Sequence, residues 1–222
     1  MPRHPRQLEL AICTWGGRRR GAGRKPTPGR RATPHRRRAP HDARCPVHVT
    51  LRATRGLPSL RGDGPFSVIR RALGPASRSG FRVLEFSVQS DHLHLLVEAD
   101  AATRLTCGVQ GLCIRLAKAI NRVLSRRGRV WDGRYHARIL ATPREVRNAL
   151  VYVLNNFKKH IRGASGLDPR SSAPWFTGWR ATVTSPSDPP PVAKAQTWLA
   201  RIGWRRHGLL DTREAPAPGR VR

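Results

Sequence analysis

Acidic side chains are scarce. Only 13 of the 222 residues are Asp or Glu, against 43 Lys and Arg, for a formal net charge of +30. A surface this unbalanced needs a polyanion, with nucleic acid the first choice and an anionic membrane surface the second. Long apolar runs are also missing. None approaches the roughly 20 residues of a spanning helix, so no membrane insertion is expected. The N-terminus has no extended apolar segment, so no secretory signal is expected. There are four cysteines, Cys13, Cys45, Cys107 and Cys113, without the tight spacing of a disulfide framework. They read as reduced thiols in a cytoplasm. The excess of Arg over Lys, beside many Ala, Gly and Pro, suits a GC-rich genome, so part of the charge is compositional. Tyrosine occurs twice, at Tyr135 and Tyr152. No internal repeat is present.

What is there divides into three stretches. Residues 1–44 include "GGRRRGAGRKPTPGRRATPHRRRAP", nearly devoid of large apolar side chains. Such a segment cannot bury enough surface to offset chain entropy and reads as a disordered basic tail. Its Arg and Lys suit either phosphate contacts or a solvated tail with no specific target. Residues 45–165 carry the periodic patterns of one domain. Residues 166–222 form a Trp- and Pro-rich extension, expected to be partly ordered.

Within 45–165, Val47, Val49 and Leu51 alternate with polar residues, the period of a half-buried strand. "GPFSVIRRALGPAS" reads as a short helix with Pro65 at its start and Gly74-Pro75 at its stop. "FRVLEFSVQ" predicts a strand with Leu84, Phe86 and Val88 on one face, and "HLHLLVEA" a partner strand closing a hairpin. Leu112, Leu116, Ile120 and Val123 predict a long helix ended by Gly128. "RVWDGRYHARIL" predicts a fourth strand. "TPREVRNALVYVLNNFKKH" predicts a helix over 143–160, with Thr142 as N-cap, Pro143 in the first turn and Glu145 completing a capping box. The order β-α-β-β-α-β-α predicts an α+β fold. The first six elements match the ferredoxin-like split sheet with helices on one face, and an additional C-terminal helix carries Tyr152.

The stretch "SDHLHLLVEAD" places two histidines on alternate positions of a strand. Leu93, Leu95 and Val97 point one way, and His92 and His94 point the other, about 7 Å apart along the strand. Two imidazoles so placed can share a divalent metal, or can be two polar residues on a wet face. On the 143–160 helix the apolar stripe is Val146, Leu150, Val153 and Phe157. Tyr152 and Asn156 lie together, roughly 100° from its centre, four residues apart and neighbours on one face. Tyr152 can reach a sheet face from there, or hold its hydroxyl in water.

In sequence order, "DHLHLLVEA", "GRVWDGRYHARIL" and "ALVYVLNNFKKH" resemble the HUH single-tyrosine transposases, most closely their REP-associated (RAYT) branch. The resemblance covers residues 45 to about 180, including "DPRSSAPWFTGW". It implies a bacterial mobile-element enzyme that cleaves and joins single-stranded, hairpin-forming DNA through a 5′-phosphotyrosine. It assigns Tyr152 as nucleophile, and His92, His94 and Asn156 as ligands of Mg²⁺ or Mn²⁺. Relatives often show Asn-Pro after the tyrosine, whereas Phe157 follows Asn156 here, so Asn155 is the neighbouring candidate for the third ligand. The implied partner is single-stranded or hairpin DNA in the cytoplasm, at the nucleoid, with no membrane. A monomer or a homodimer is left open, and with it whether Tyr152 serves its own subunit.

Three other readings compete. One is a catalytically silent or domesticated DNA- or RNA-binding protein. Another is a zinc module from Cys45, His48, Cys107 and Cys113, which lack paired knuckle spacing. A basic structural protein, such as a ribosomal component, is the third. Arg61-Gly62-Asp63 reads as a turn, and "GRKPTPGRR" as a basic arm or a minor-groove hook.

Overall fold

The computed structural model describes residues 40–216, except 79 and 162. The basic tail expected over residues 1–44 therefore lies, apart from its last five residues, outside the described residues. Within the described residues, four strands and five α-helices carry the fold: β1 (Val47–Arg52), α1 (Asp63–Leu73), β2 (Phe81–Val88), β3 (His92–Ala99), α2 (Ala102–Val123), β4 (His136–Ile139), α3 (Pro143–Asn155), α4 (Phe157–His160) and α5 (Trp198–Arg201). The strands form one sheet in the order β2-β3-β1-β4, and every neighbouring pair is antiparallel. The fold is thus mixed α and β, with a four-stranded antiparallel sheet.

The sheet separates two apolar layers. On one face, Val47, Val49 and Leu51 of β1 and Leu93, Leu95 and Val97 of β3 pack against α1 and α2. Period-2 alternation puts these residues on that face and their polar neighbours on the other. The stripe of α2 is Leu105, Val109, Leu112, Leu116 and Ile120, all buried. The helix begins earlier than the Leu112–Val123 periodicity predicts. Gly108 interrupts the pattern because it lies against β2: a Cβ there would stand 2.3 Å from the Phe81 ring.

On the second face, Val146, Leu150 and Leu154 of α3 join Leu84 and Leu96 of the sheet with Trp179, Leu199, Trp204 and Leu210 from the C-terminal stretch. Leu84 corrects the expected grouping with Phe86 and Val88. The register shifts between Val83 and Glu85, so Glu85 and not Leu84 lies opposite Leu96. This irregularity turns Leu84 to the α3 face while Val83, Phe86 and Val88 stay with α1 and α2.

Two further elements differ from expectation. β4 is only four residues long, and Tyr135 lies just before it, not within a strand. The chain turns at Gly133, whose φ of 78° is a left-handed conformation. The 143–160 helix is broken at Asn156 into α3 and α4. Its start follows the sequence reading. Thr142 Oγ1 accepts from the Glu145 backbone N–H at 3.2 Å, and Glu145 Oε2 accepts from the Ala141 N–H at 3.0 Å.

Residues 168–172 protect the β2 edge. Ser171 bridges Ser87, the Val88 N–H donates to the Arg170 carbonyl at 2.9 Å, and the Ser172 N–H donates to Phe86 O at 3.0 Å. Arg61 makes a two-pronged ion pair with the buried Asp168, at 2.8 and 3.0 Å. The Arg61-Gly62-Asp63 string is therefore structural. Among the described residues, no helix is long and apolar enough to cross a membrane.

Candidate active site

The polar face of the sheet is built by cross-strand rows. His94 stands opposite Thr50 of β1 and Ser87 of β2, and Thr50 stands opposite His136 of β4. The next row out puts His92 opposite Arg52, and the row inward puts His48 opposite Leu96 and Arg138. β1 thus repeats, as His48-x-Thr50, the spacing of His92-x-His94. The second apolar layer holds α3 over this same face, which brings Tyr152 to the histidines.

The rings form one group. His92 and His94 centroids are 4.6 Å apart, and His94 and Tyr152 are 5.0 Å apart, edge to face. His48 lies 5.2 Å from His94 and 5.6 Å from Tyr152. His160 of α4 adds a further imidazole 5.4 Å from His92. The ammonium of Lys159 lies 5.3 Å from the Tyr152 ring centroid. The four imidazoles and the Tyr152 ring border an open cleft of about 1130 Å³, whose rim also carries Arg52, Arg138 and Glu214.

Burial disfavours the charged forms of His48, His94, His160 and Tyr152. Burial lowers the pKa of His94 well below the usual imidazole value, and His48, His92 and His160 lower it further. Burial, with the charges of His136 and Arg138 behind it, pushes His48 down to about 4. Burial and the neighbouring His92 also lower His160. The Tyr152 phenol is raised by burial, so at neutral pH it carries its proton. Asp91 is lowered by its hydrogen bond with His92, whose Nδ1 lies 2.6 Å from Asp91 Oδ1.

The expected site residues fall as follows. His92, His94 and Tyr152 border one cleft. Asn156 is fully buried at the break between α3 and α4, and its Nδ2 lies 3.5 Å from His160 Nε2. Asn155, the neighbouring candidate, is committed elsewhere. Its Nδ2 donates to the carbonyls of Asp211 at 3.2 Å and Glu214 at 2.9 Å, and its Oδ1 accepts from Lys158 at 3.2 Å. Tyr135 sits at the margin of the α1/α2 layer, apart from the cleft.

Two lone-pair atoms stand out. His94 Nε2 and Asn156 Oδ1 are buried and have no hydrogen-bond partner. Buried polar atoms without partners are uncommon, and a pair of nitrogen and oxygen donors suits a divalent cation. Among the described residues, no three His, Cys, Asp or Glu side chains are grouped to hold a metal. A metal at the His92–His94 pair therefore needs a donor of another kind, and the Asn156 amide oxygen is one. Imidazole nitrogen and amide oxygen are donor types that a divalent cation accepts. Cys45, Cys107 and Cys113 do not form a zinc site: Cys45 belongs to the α3 layer, Cys113 to the opposite layer, and Cys107 is exposed.

The sequence reading placed His48 only in a zinc module and gave His160 no part in the site. The signal for His48 was present in β1, where the alternation that buries Val47 and Val49 turns His48 and Thr50 to the histidine face. His160 lies eight residues after Tyr152 and four after Asn156, on one face of a continuous helical wheel.

Comparison with known proteins agrees on the segment. Residues 47–156 match the family described as "Transposase IS200 like". Among solved structures the chain is similar to a "REP associates tyrosine transposase bound to a REP hairpin". The identity is 15% and the TM-score 0.47, over 58% of this chain and 74% of that one. No curated protein matches the chain. The sheet, both β3 histidines, Tyr152 and Asn156 all lie within residues 47–156, the segment that matches the IS200-like transposase family.

Proposed function

We propose that this protein is a metal-dependent single-strand DNA endonuclease and strand transferase acting on hairpin-forming DNA, with Tyr152 as nucleophile and a 5′-phosphotyrosine intermediate. The observation that carries the reading is the meeting of Tyr152 with His94, 5.0 Å between centroids, in a cleft edged by Arg52 and Arg138. On this reading the strand order is the split β-α-β-β-α-β arrangement, and α3 is the added helix that delivers the tyrosine across the sheet.

Each residue has a chemical task. Arg52 and Arg138 hold backbone phosphates at the cleft. His92, His94 and Asn156 would hold a divalent metal, which would supply an electrophile for the scissile phosphate. Tyr152 Oη forms a bond to phosphorus as the bond from phosphorus to the 3′-oxygen breaks. The phenol gives up a proton and the departing 3′-oxygen gains one. The phosphotyrosine keeps the energy of the broken phosphodiester, so a second 3′-hydroxyl can reverse the step on a new strand without ATP. The scissile phosphate must be unpaired to enter the cleft, and a hairpin presents both a shape and unpaired bases.

The test is a strand-transfer assay on DNA flanking the gene, with Mn²⁺ supplied. The reading requires cleavage beside an inverted repeat and joined products. Tight hairpin binding without either product would favour a binding protein.

A further inference from the structure

We infer that Thr50 and His48 of β1 are positioning residues that fix the ring of His94 with its proton on Nδ1, leaving Nε2 as the metal-binding lone pair. The inference rests on the metal reading above and goes beyond it. It assigns a task to two residues outside the proposed ligand set.

The geometry is asymmetric. His94 Nδ1 lies 3.1 Å from Thr50 Oγ1 and 3.2 Å from His48 Nε2. His94 Nε2 is buried and has no partner. A neutral imidazole carries one N–H. Placed on Nε2, that proton would be a buried donor with no acceptor, which is unfavourable. No cation could then bind there. Placed on Nδ1, the proton meets an acceptor on either Thr50 or His48. The atom left over is then a lone pair, which an incoming cation satisfies. Metal-bound histidines commonly have the second nitrogen held this way.

The sheet register makes the arrangement stiff. Thr50 is the direct cross-strand partner of His94, and His48 lies two residues along the same strand face. His48 is held in turn by the edge of Tyr152 at 5.6 Å. Asp91 serves His92 in parallel, through Nδ1 at 2.6 Å. Each β3 histidine is thus gripped at Nδ1 by a different chemistry, a carboxylate for one and a hydroxyl with an imidazole for the other.

The test uses the full chain in two measurements. The first is long-range ¹H–¹⁵N correlation on metal-free, ¹⁵N-histidine-labelled protein, with His94→Asn used to assign the His94 signals. Wild type should show His94 protonated on Nδ1, and the double variant Thr50→Val/His48→Phe should lose that preference. The second is the Mn²⁺ dissociation constant by calorimetry. The double variant should bind about 10–100-fold more weakly. Thr50→Ser, which keeps the hydroxyl, should bind as wild type does. A His94 ring protonated on Nε2 in wild type would overturn the inference. So would unchanged Mn²⁺ affinity in the double variant when His94→Ala abolishes binding. If His94→Ala itself leaves Mn²⁺ affinity unaltered, the metal reading fails, and the tautomer measurement still decides the role of Thr50 and His48.

Discussion

Tyr152 stands edge-on to His94, with the ring planes 79° apart and the centroids separated by 5.0 Å. One residue comes from a helix and the other from a central strand, 58 positions apart in the chain. The apolar residues of α3 bring them together. Val146, Leu150 and Leu154 seat the helix on Leu84 and Leu96, and this fixes which side of the helix overlooks the histidines. Core packing on one face of the sheet thereby sets the distance between the Tyr152 phenol and the β3 histidines.

If His92 and His94 hold the metal, single-strand cleavage requires Mg²⁺ or Mn²⁺ and disappears in excess EDTA. His92→Ala and His94→Ala should lose cleavage and still bind hairpin DNA within a few-fold of wild type. Gel-shift titration beside a cleavage assay separates the two. Full cleavage in EDTA would remove the metal from the account.

Asn155 and Asn156 should respond in opposite ways. Asn156→Ala removes a buried oxygen with no partner, so it should abolish metal-dependent cleavage at little cost in stability. Asn155→Ala breaks the hydrogen bonds that tie α3 to residues 211–214. It should destabilise the fold by about 1–3 kcal/mol while the residual folded protein still cleaves. Urea unfolding and cleavage at matched folded fractions decide between them.

Glu85 makes stability depend on pH. Burial raises its pKa to about 8, against a lowering hydrogen bond from Ser172 Oγ at 2.5 Å. Ser172 Oγ also lies 3.2 Å from Phe86 O, and a protonated Glu85 lets the single hydroxyl hydrogen serve that carbonyl. With the folded pKa raised above the unfolded one, the contribution is complete below about 4.5 and is lost as pH rises through about 8. Glu85 keeps a small exposed edge, so the loss is about 1–3 kcal/mol and not the full value of the shift. Glu85→Gln should flatten stability between pH 5 and 9. An unchanged slope in denaturant melts would count against the buried neutral acid.

The N-terminal residues are expected to bind DNA phosphates without reading sequence. Residues 1–39 carry eleven Arg and Lys25 against Glu9. The truncation should stop at residue 39, because His41 Nε2 meets the Ala99 carbonyl at 2.7 Å. Its removal should weaken DNA binding and flatten the salt dependence by about 0.7–0.9 log units for each phosphate no longer neutralised. The cleavage position should stay where it is. A moved cleavage site would show that these residues read sequence.

Much of the fold and site is legible in the sequence. The alternation in β1 and β3 sorts Val47, Leu93 and Leu95 from His48, His92 and His94, because strand geometry leaves only two faces. Thr142 and Glu145 announce the start of α3 because the cap chemistry is local. Leu84 is not legible, since a register shift depends on the partner strand. The break at Asn156 and the diversion of Asn155 to the 211–214 carbonyls depend on a segment more than 50 residues away. His48 is visible on the correct face, but its value depends on Tyr152 and His94 arriving beside it.

The central claim is that Tyr152 becomes covalently joined to DNA. Wild type, Tyr152→Phe and Tyr135→Phe are incubated with labelled single-stranded hairpin DNA from the gene's flanks and Mn²⁺, then resolved on a denaturing gel. Removing one hydroxyl leaves the Tyr152 ring packing in place, so Tyr152→Phe should fold and bind DNA as wild type does. The account predicts a protein–DNA band for wild type and for Tyr135→Phe, and none for Tyr152→Phe. A band that persists in Tyr152→Phe and vanishes in Tyr135→Phe would contradict it.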